Sequence, residues 1–145
     1  MPDTLLLTQS DLIRCGATDI DLVGGCLEEM FVVHAKGEFT APPSSFLKRE
    51  ECPHVADRII GLSAHLGGRF DIEGIKWIAS AHRNPSVGLP RANAVIILND
   101  AENRLPISYS PGLMAGGTGP DTVAGAIALA GAEILAGLVI HQLKN

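Results

Sequence analysis

The stretch "GIKWIASAHRNPSVGLPRANAVIILND", residues 74–100, decides the fold. It is typical of two apolar strands joined by a loop that contains proline and glycine. Alternate residues of a strand point to opposite faces of its sheet, so Lys76 and Trp77 are expected on different faces. Two successive strands with no helix between them favour an antiparallel arrangement over parallel β-α-β units.

The rest of the chain extends this pattern. Apolar helical spacing after Thr18 and Asp19 predicts a helix that ends at Gly37, and Thr8 or Ser10 is expected to cap an earlier helical turn. Strands are predicted at residues 5–7, 46–47, 58–65, 70–81, 92–100 and 107–110. The predicted fold class is α+β, with a mainly antiparallel or mixed sheet packed against an N-terminal helix and a long C-terminal Ala/Gly-rich helix.

The C-terminal part differs in composition. Residues 111–119 are rich in glycine and proline, and Pro120 suits the first turn of a helix over residues 121–143. The apolar run 123–140 has 18 residues, near the lower limit for a membrane span, but it contains Glu133 and is mostly Ala and Gly. A buried helix is therefore preferred to a membrane-spanning one. Residues 111–145 are expected to belong to the same domain as the rest.

Charge and composition exclude several classes of partner. The net charge is −5, and no cluster of Lys and Arg alternates with aromatic residues, so nucleic acid is not an expected partner. The N-terminus lacks the basic region of a signal peptide. The three cysteines are an odd number without a C-x-x-C motif, which favours the reducing cytoplasm. These observations predict a cytoplasmic protein that does not bind a membrane.

Metal and nucleotide sites are not expected either. The five histidines include no pair with H-x-x-x-H spacing, so no metal site is predicted. "GGTGPDT", residues 116–122, lacks the third glycine of a dinucleotide fingerprint and the preceding strand. His65 and His82 are candidate acid/base groups near the Lys76 strand, although a structural role is the default for each.

Four cations are candidates for binding an anion. Pattern alone favours a solvated Lys76 on an open sheet face, and the alternative is a Lys76 that points into a partly apolar pocket and holds a carboxylate. Arg91 begins the next strand and would lie beside Lys76 if the two strands pair as a hairpin. Lys48 and Arg49 in "SFLKRE" form another candidate anion clamp. For Arg91, Lys48 and Arg49, the alternative is ordinary exposed charge.

The motifs "GIKWIAS", "GLPRA" and "VIILND" also carry a resemblance. With "LLLTQSD" and "HAKGEF", they resemble the N-terminal half of the ornithine cyclodeaminase/μ-crystallin family over about residues 4–108. The likeness is strongest to the branch of N-(2-amino-2-carboxyethyl)-L-glutamate dehydrogenases, which acts in 2,3-diaminopropionate and siderophore biosynthesis. Residues 1–110 would then form a substrate-binding and dimerisation domain.

The resemblance implies roles for particular residues. Lys76 is similar to a family lysine that binds the substrate carboxylate, and Lys48 or Arg49 falls near a family arginine. The family members are NAD-dependent homodimers of roughly twice this length, with a Rossmann domain in the middle of the chain. The sequence lacks the family's Arg-Thr pair after Pro106, its Rossmann domain and its catalytic aspartate. No cofactor site is therefore expected in this chain.

The resulting functional hypothesis is a truncated or partial relative of these amino-acid dehydrogenases and cyclodeaminases. It would bind an amino-acid carboxylate around Lys76 as a homodimer, and a partner chain with a Rossmann domain would complete the NAD enzyme. The alternatives are a dimerisation module that binds no ligand and a membrane-tethered fragment.

Overall fold

The computed structural model describes residues 4–51 and 54–112. The elements in chain order are β1 (Leu5–Leu6), α1 (Gln9–Arg14), α2 (Ile20–Ala35), β2 (Phe39–Thr40), β3 (Ser45–Leu47), β4 (Arg58–Leu66), β5 (Ile72–Ser80), a 3-10 helix (Asn84–Val87), β6 (Ala92–Asp100) and β7 (Pro106–Gly112). The predicted helix over residues 121–143 lies outside the described residues, and so does most of the predicted linker. No helix in the described ranges is long and apolar enough to span a membrane.

The strands form one mixed sheet. Its order is β1-β7-β6-β5-β4-β2, and β3 also pairs with β4. The β1–β7 pair is parallel, whereas all other pairs are antiparallel. The centre consists of β4, β5 and β6, each nine residues long and joined in succession. The predicted α+β class and the antiparallel pairing of residues 74–100 are confirmed.

Both helices begin at capping residues that the sequence signals. Thr8 caps α1 in a capping box, where Asp11 N–H donates to Thr8 Oγ1 at 3.2 Å and Thr8 N–H donates to Asp11 Oδ2 at 2.8 Å. The Asp19 carboxylate caps α2 and accepts from two backbone N–H groups at 3.1 Å. α2 ends at Ala35, and Gly37 follows with a φ of 76° that favours glycine.

The loop between β5 and β6 has regular secondary structure that was not predicted from the sequence. It contains the 3-10 helix, which begins with Pro85 in its first turn and ends at Gly88 in the left-handed conformation, with a φ of 76°. The Asn84 side chain closes the loop by donating to the Pro90 carbonyl at 2.9 Å. The loop therefore fixes the register in which β6 returns along β5.

The hydrophobic core lies between α2 and one face of the sheet. Its main cluster consists of Val33, Phe70, Ile72, Ile96, Leu98 and Ile107. A smaller cluster joins α1 to the start of α2 through Leu12, Ala17 and Val23. In β6 the residues alternate strictly between buried and exposed from Ala92 to Ile96, as expected for a strand with one covered face. The opposite face of the sheet carries exposed apolar residues of the described ranges, among them Trp77 and Val95, and is called the open face below.

Candidate functional site

Lys76 lines a cavity between α2 and the covered face of the sheet. The cavity has a volume of about 330 Å³. Its walls are mainly apolar and include Met30, Phe31, Phe39, Leu62, Ile96 and Leu98. Lys76 is half-buried there, and it is the one lysine or arginine among the lining residues of the described chain. A cationic side chain in such a wall is suited to binding an anion.

The register explains why Lys76 faces the cavity. Lys76 lies opposite Leu62 of β4 and Ile96 of β6. Directly opposite residues share a face, and Ile96 is buried in the main core cluster. Lys76 is thus on the side that α2 covers, and the expectation from pattern alone, a solvated lysine on the open face, is wrong. Trp77 takes the open face, where it is 40% exposed.

An aromatic pair forms one wall of the cavity. The rings of His34 in α2 and Phe39 in β2 stack with their centroids 4.0 Å apart and an angle of 23° between their planes. β2 was not predicted, because its two residues are held by pairing with Leu66 and His65 across the chain rather than by a local pattern. The stack packs β2 against the C-terminal end of α2, and the two rings form the cavity wall there.

The other predicted cations lie away from this cavity. Ala81 N–H donates to the Arg91 carbonyl at 2.9 Å, so the hairpin places Arg91 opposite Ala81, five positions beyond Lys76. Arg91 is exposed. Lys48 and Arg49 follow β3 and are also exposed, and Arg49 forms an ion pair with Glu51 at 3.4 Å. The structure does not bring these three residues together with Lys76.

A second polar cluster lies at the other end of β5. His82 Nδ1 is 2.8 Å from Asp57 Oδ2 and 2.9 Å from Asp57 Oδ1, and the His82 backbone N–H donates to Oδ1 at 2.7 Å. The His54 ring stacks on the His82 ring at 3.9 Å. The backbone and side-chain hydrogen bonds from His82 lower the pKa of Asp57, so this carboxylate is ionised at neutral pH.

The sequence signals this cluster only in part. His82 is a candidate acid/base group because it follows the Lys76 strand, but no sequence pattern indicates a functional role for Asp57 or His54. They come from a segment 25 or more residues earlier, and no helical or strand period links the three. The ring of His65, the other candidate, lies at the opposite end of β4, where its Nε2 is 3.3 Å from Asp71 Oδ1. The structure therefore separates His65 from His82.

Comparison with known proteins gives the family. A model of the ornithine cyclodeaminase/mu-crystallin family matches residues 3–119, which is most of the chain. The chain belongs to the ornithine cyclodeaminase/mu-crystallin family. This membership confirms the resemblance found in "GIKWIAS", "GLPRA" and "VIILND".

Two curated relatives of the chain are named as dehydrogenases. The chain is 41% identical over 108 residues to N-((2S)-2-amino-2-carboxyethyl)-L-glutamate dehydrogenase of Staphylococcus aureus, which covers 73% of the chain and 32% of that protein. It is 31% identical over 122 residues to alanine dehydrogenase of Archaeoglobus fulgidus, which covers 81% of the chain and 35% of that protein. The chain thus spans about a third of the length of these relatives.

A solved structure of the family agrees with the fold. An archaeal alanine dehydrogenase, described as a dimer with bound NAD, superposes with a TM-score of 0.61 at 31% identity. The superposition covers 74% of this chain and 31% of the other. The relatives named here are thus amino-acid dehydrogenases, and one of them was solved with NAD bound.

Proposed function

We propose that this chain supplies the substrate-binding part of an NAD-dependent amino-acid oxidoreductase, with the Lys76 ammonium holding the substrate carboxylate. The observation that carries the proposal is the half-buried Lys76 in the wall of a mainly apolar cavity of about 330 Å³. The attraction between an ammonium and a carboxylate is stronger there than in bulk water, because less solvent screens it. The rigid central strand β5 fixes the position of the ammonium group.

The proposed substrate is a small amino acid or the corresponding imino acid. The proposed setting is 2,3-diaminopropionate-type biosynthesis for siderophores, which the motif resemblance implies. The relative at 41% identity is named as a dehydrogenase of an amino-carboxyethyl glutamate, a substrate of this small amino-acid type. The proposed location is the reducing cytoplasm, as the cysteine pattern favours.

NAD is proposed to bind outside the described residues. The described sheet has antiparallel pairs apart from β1–β7, so residues 4–51 and 54–112 contain no pair of parallel strands joined by one crossover helix, the unit that binds dinucleotides. A Rossmann domain elsewhere in the whole protein, or in a partner chain, would supply the nicotinamide for hydride transfer. The chain's own residues would bind and orient the amino acid.

Calorimetric titration tests the role of Lys76. The 145-residue chain is titrated with L-glutamate, L-ornithine and 2,3-diaminopropionate, and the same is done with Lys76→Met, which keeps most of the apolar stem. We expect the wild type to bind at least one of these amino acids and Lys76→Met to bind none. The two proteins should have similar Tm values, which shows that the variant is folded. Unchanged binding in a folded Lys76→Met would remove Lys76 from the site.

Three matched variants test the remaining predicted cations. Lys48→Met, Arg49→Met and Arg91→Met each remove one charge without touching the cavity, so amino-acid binding should persist in all three if Lys76 alone holds the carboxylate. A loss in one of them would add that residue to the site. No binding by any of these proteins would favour the alternative of a dimerisation module. NADH binding to the 145-residue chain, seen by fluorescence, would contradict a cofactor site in a Rossmann domain beyond these 145 residues.

We also propose that the chain forms a homodimer through the open face of the sheet. Trp77 and Val95 lie opposite each other on that face and are 40% and 37% exposed. An apolar face of this kind is typical of a surface that a second copy covers. The description of the archaeal alanine dehydrogenase as a dimer supports a dimeric state, and the choice of this face rests on Trp77 and Val95.

A further inference from the structure

Three side chains of types that can ligate a metal meet at the open end of the β4–β5 hairpin. Arg58 of β4 pairs with Ser80 of β5 at that end. His54 and Asp57 belong to the turn just before β4, and His82 follows β5 by two residues. Each of the three offers one ligand atom, and these atoms all lie within 4.8 Å of one another. It is the one such group of three in residues 4–51 and 54–112.

We propose that His54, Asp57 and His82 form a binding site for one divalent transition-metal ion of the zinc class. Two imidazole nitrogens and one carboxylate oxygen are a donor set that zinc prefers, and a water molecule would complete a tetrahedral arrangement. The half-buried Asp57 and His82 and the exposed His54 leave the site open to solvent, so an ion can enter.

The carboxylate is already held in place for this role. The His82 backbone N–H donates to Asp57 Oδ1, and Asp57 Oδ2, which lies 2.8 Å from His82 Nδ1, is the oxygen that would face an ion. The Asp57 backbone N–H donates to the His54 carbonyl at 3.0 Å and closes the turn. Arg58 donates to the Val55 carbonyl at 2.8 Å, and Ser80 Oγ donates to the Ala56 carbonyl. These hydrogen bonds tie the turn that carries His54 and Asp57 to both strands.

Coordination requires small movements. Zinc–ligand bonds of about 2.0–2.1 Å place tetrahedral ligand atoms about 3.3 Å apart. His82 Nδ1 and Asp57 Oδ2 are 2.8 Å apart, so they would separate by about half an ångström as the ion enters between them. His54 must turn out of its stack on His82 to aim a ring nitrogen at the ion. Its side chain is exposed, and among the described residues the hydrogen bond that it would give up on turning comes from Ala56 N–H at 3.1 Å.

The proposed ion site is separate from the amino-acid cavity. None of His54, Asp57 and His82 lines the cavity at Lys76. His82 follows Lys76 by six residues, which corresponds to about 20 Å along a strand. The ion would join the turn before β4 to the loop after β5 and so fasten the open end of the hairpin.

Zinc titration of the metal-free chain tests the proposal. The full chain is first freed of metal with a chelator. It is then titrated with zinc by calorimetry and with cobalt by visible absorption, because the d–d bands of bound cobalt report tetrahedral coordination. We expect one equivalent of bound ion and a saturable rise in Tm. The same measurements are made with Cys15, Cys26 and Cys52 replaced by serine, because thiolates also bind zinc. Binding should survive in this background.

Variants assign the ligands. His54→Gln removes the exposed ligand with the least effect on the fold and should weaken zinc binding by at least about tenfold. Asp57→Asn should weaken it as well, whereas His65→Gln, a histidine outside the cluster, should not. The proposal is overturned if zinc does not bind, if the serine background loses the ion, or if a folded His54→Gln binds zinc as tightly as the wild type.

Discussion

Lys76 and Ile96 lie directly opposite each other on β5 and β6, on the face of the sheet that α2 covers. Ile96 is 4% exposed and belongs to the main core cluster, whereas Lys76 is half-buried at the cavity beside it. The wall that supports the proposed carboxylate-binding group is thus part of the hydrophobic core. Packing in this core and the position of the ammonium are therefore linked.

Ile96→Ala is expected to lower the free energy of unfolding by about 2–5 kcal/mol, since it removes buried methyl groups and leaves a cavity. Urea denaturation measures the change. Val87→Ala in the exposed 3-10 helix is the matched control, with an expected change within about 0.5 kcal/mol. Equal effects of the two substitutions would contradict the assignment of Ile96 to the core.

Gly74→Ala tests the close contact between β5 and β6. A Cβ atom at Gly74 would lie 2.6 Å from the Ile97 carbonyl oxygen and 3.0 Å from Leu98 Cδ2. Backbone atoms cannot move away easily, so we expect a loss of about 1–3 kcal/mol in unfolding free energy. Gly25→Ala, at an exposed position of α2 with no atom within 4 Å of its Cβ, should instead stabilise the protein by about 0.5–1 kcal/mol. Urea denaturation of the wild type and both variants under the same conditions measures the two changes in unfolding free energy.

Much of the fold was predictable, because its signals are local. The apolar pattern of residues 74–100 predicts two central strands. Thr8 and Asp19 cap the helices through hydrogen bonds to residues two or three positions away. Which face of a strand is covered depends instead on where α2 packs. Lys76 therefore appeared solvated from pattern alone, although the family resemblance placed it in a pocket.

The parts that were missed depend on contacts between distant residues. Arg91 was a candidate to lie beside Lys76 if the two strands paired as a hairpin, with ordinary exposed charge as the alternative. The strands do pair, but their register puts an exposed Arg91 opposite Ala81. The cluster of Asp57 and His82 joins residues 25 positions apart, and only the pairing of β4 with β5 brings them together. No spacing rule in the sequence encodes such a contact.

Asp11 should make α1 sensitive to acid. Hydrogen bonds from the Thr8 side chain and backbone, and then from Arg14, lower its pKa from 3.8 to about 2. A carboxyl group whose pKa is lowered by folding stabilises the folded protein at pH values above its pKa in the unfolded chain. This stabilisation is lost as the pH falls from about 4 toward 2. The difference in Tm between the wild type and Asp11→Asn should therefore shrink over that range. A constant difference, or an Asp11 pKa near 3.8 by NMR titration, would contradict the capping box as its cause.

Trp77→Glu tests the proposed homodimer. Trp77 and Val95 form an apolar pair on the open face, and a carboxylate buried there in a dimer would lack a partner charge, so the variant should be monomeric. Light scattering at micromolar concentration measures the mass. Val32→Glu, on an exposed position of α2 at the other side of the sheet, is the control and should stay dimeric. A monomeric wild type, or a Trp77→Glu variant that remains dimeric, would exclude association through this face.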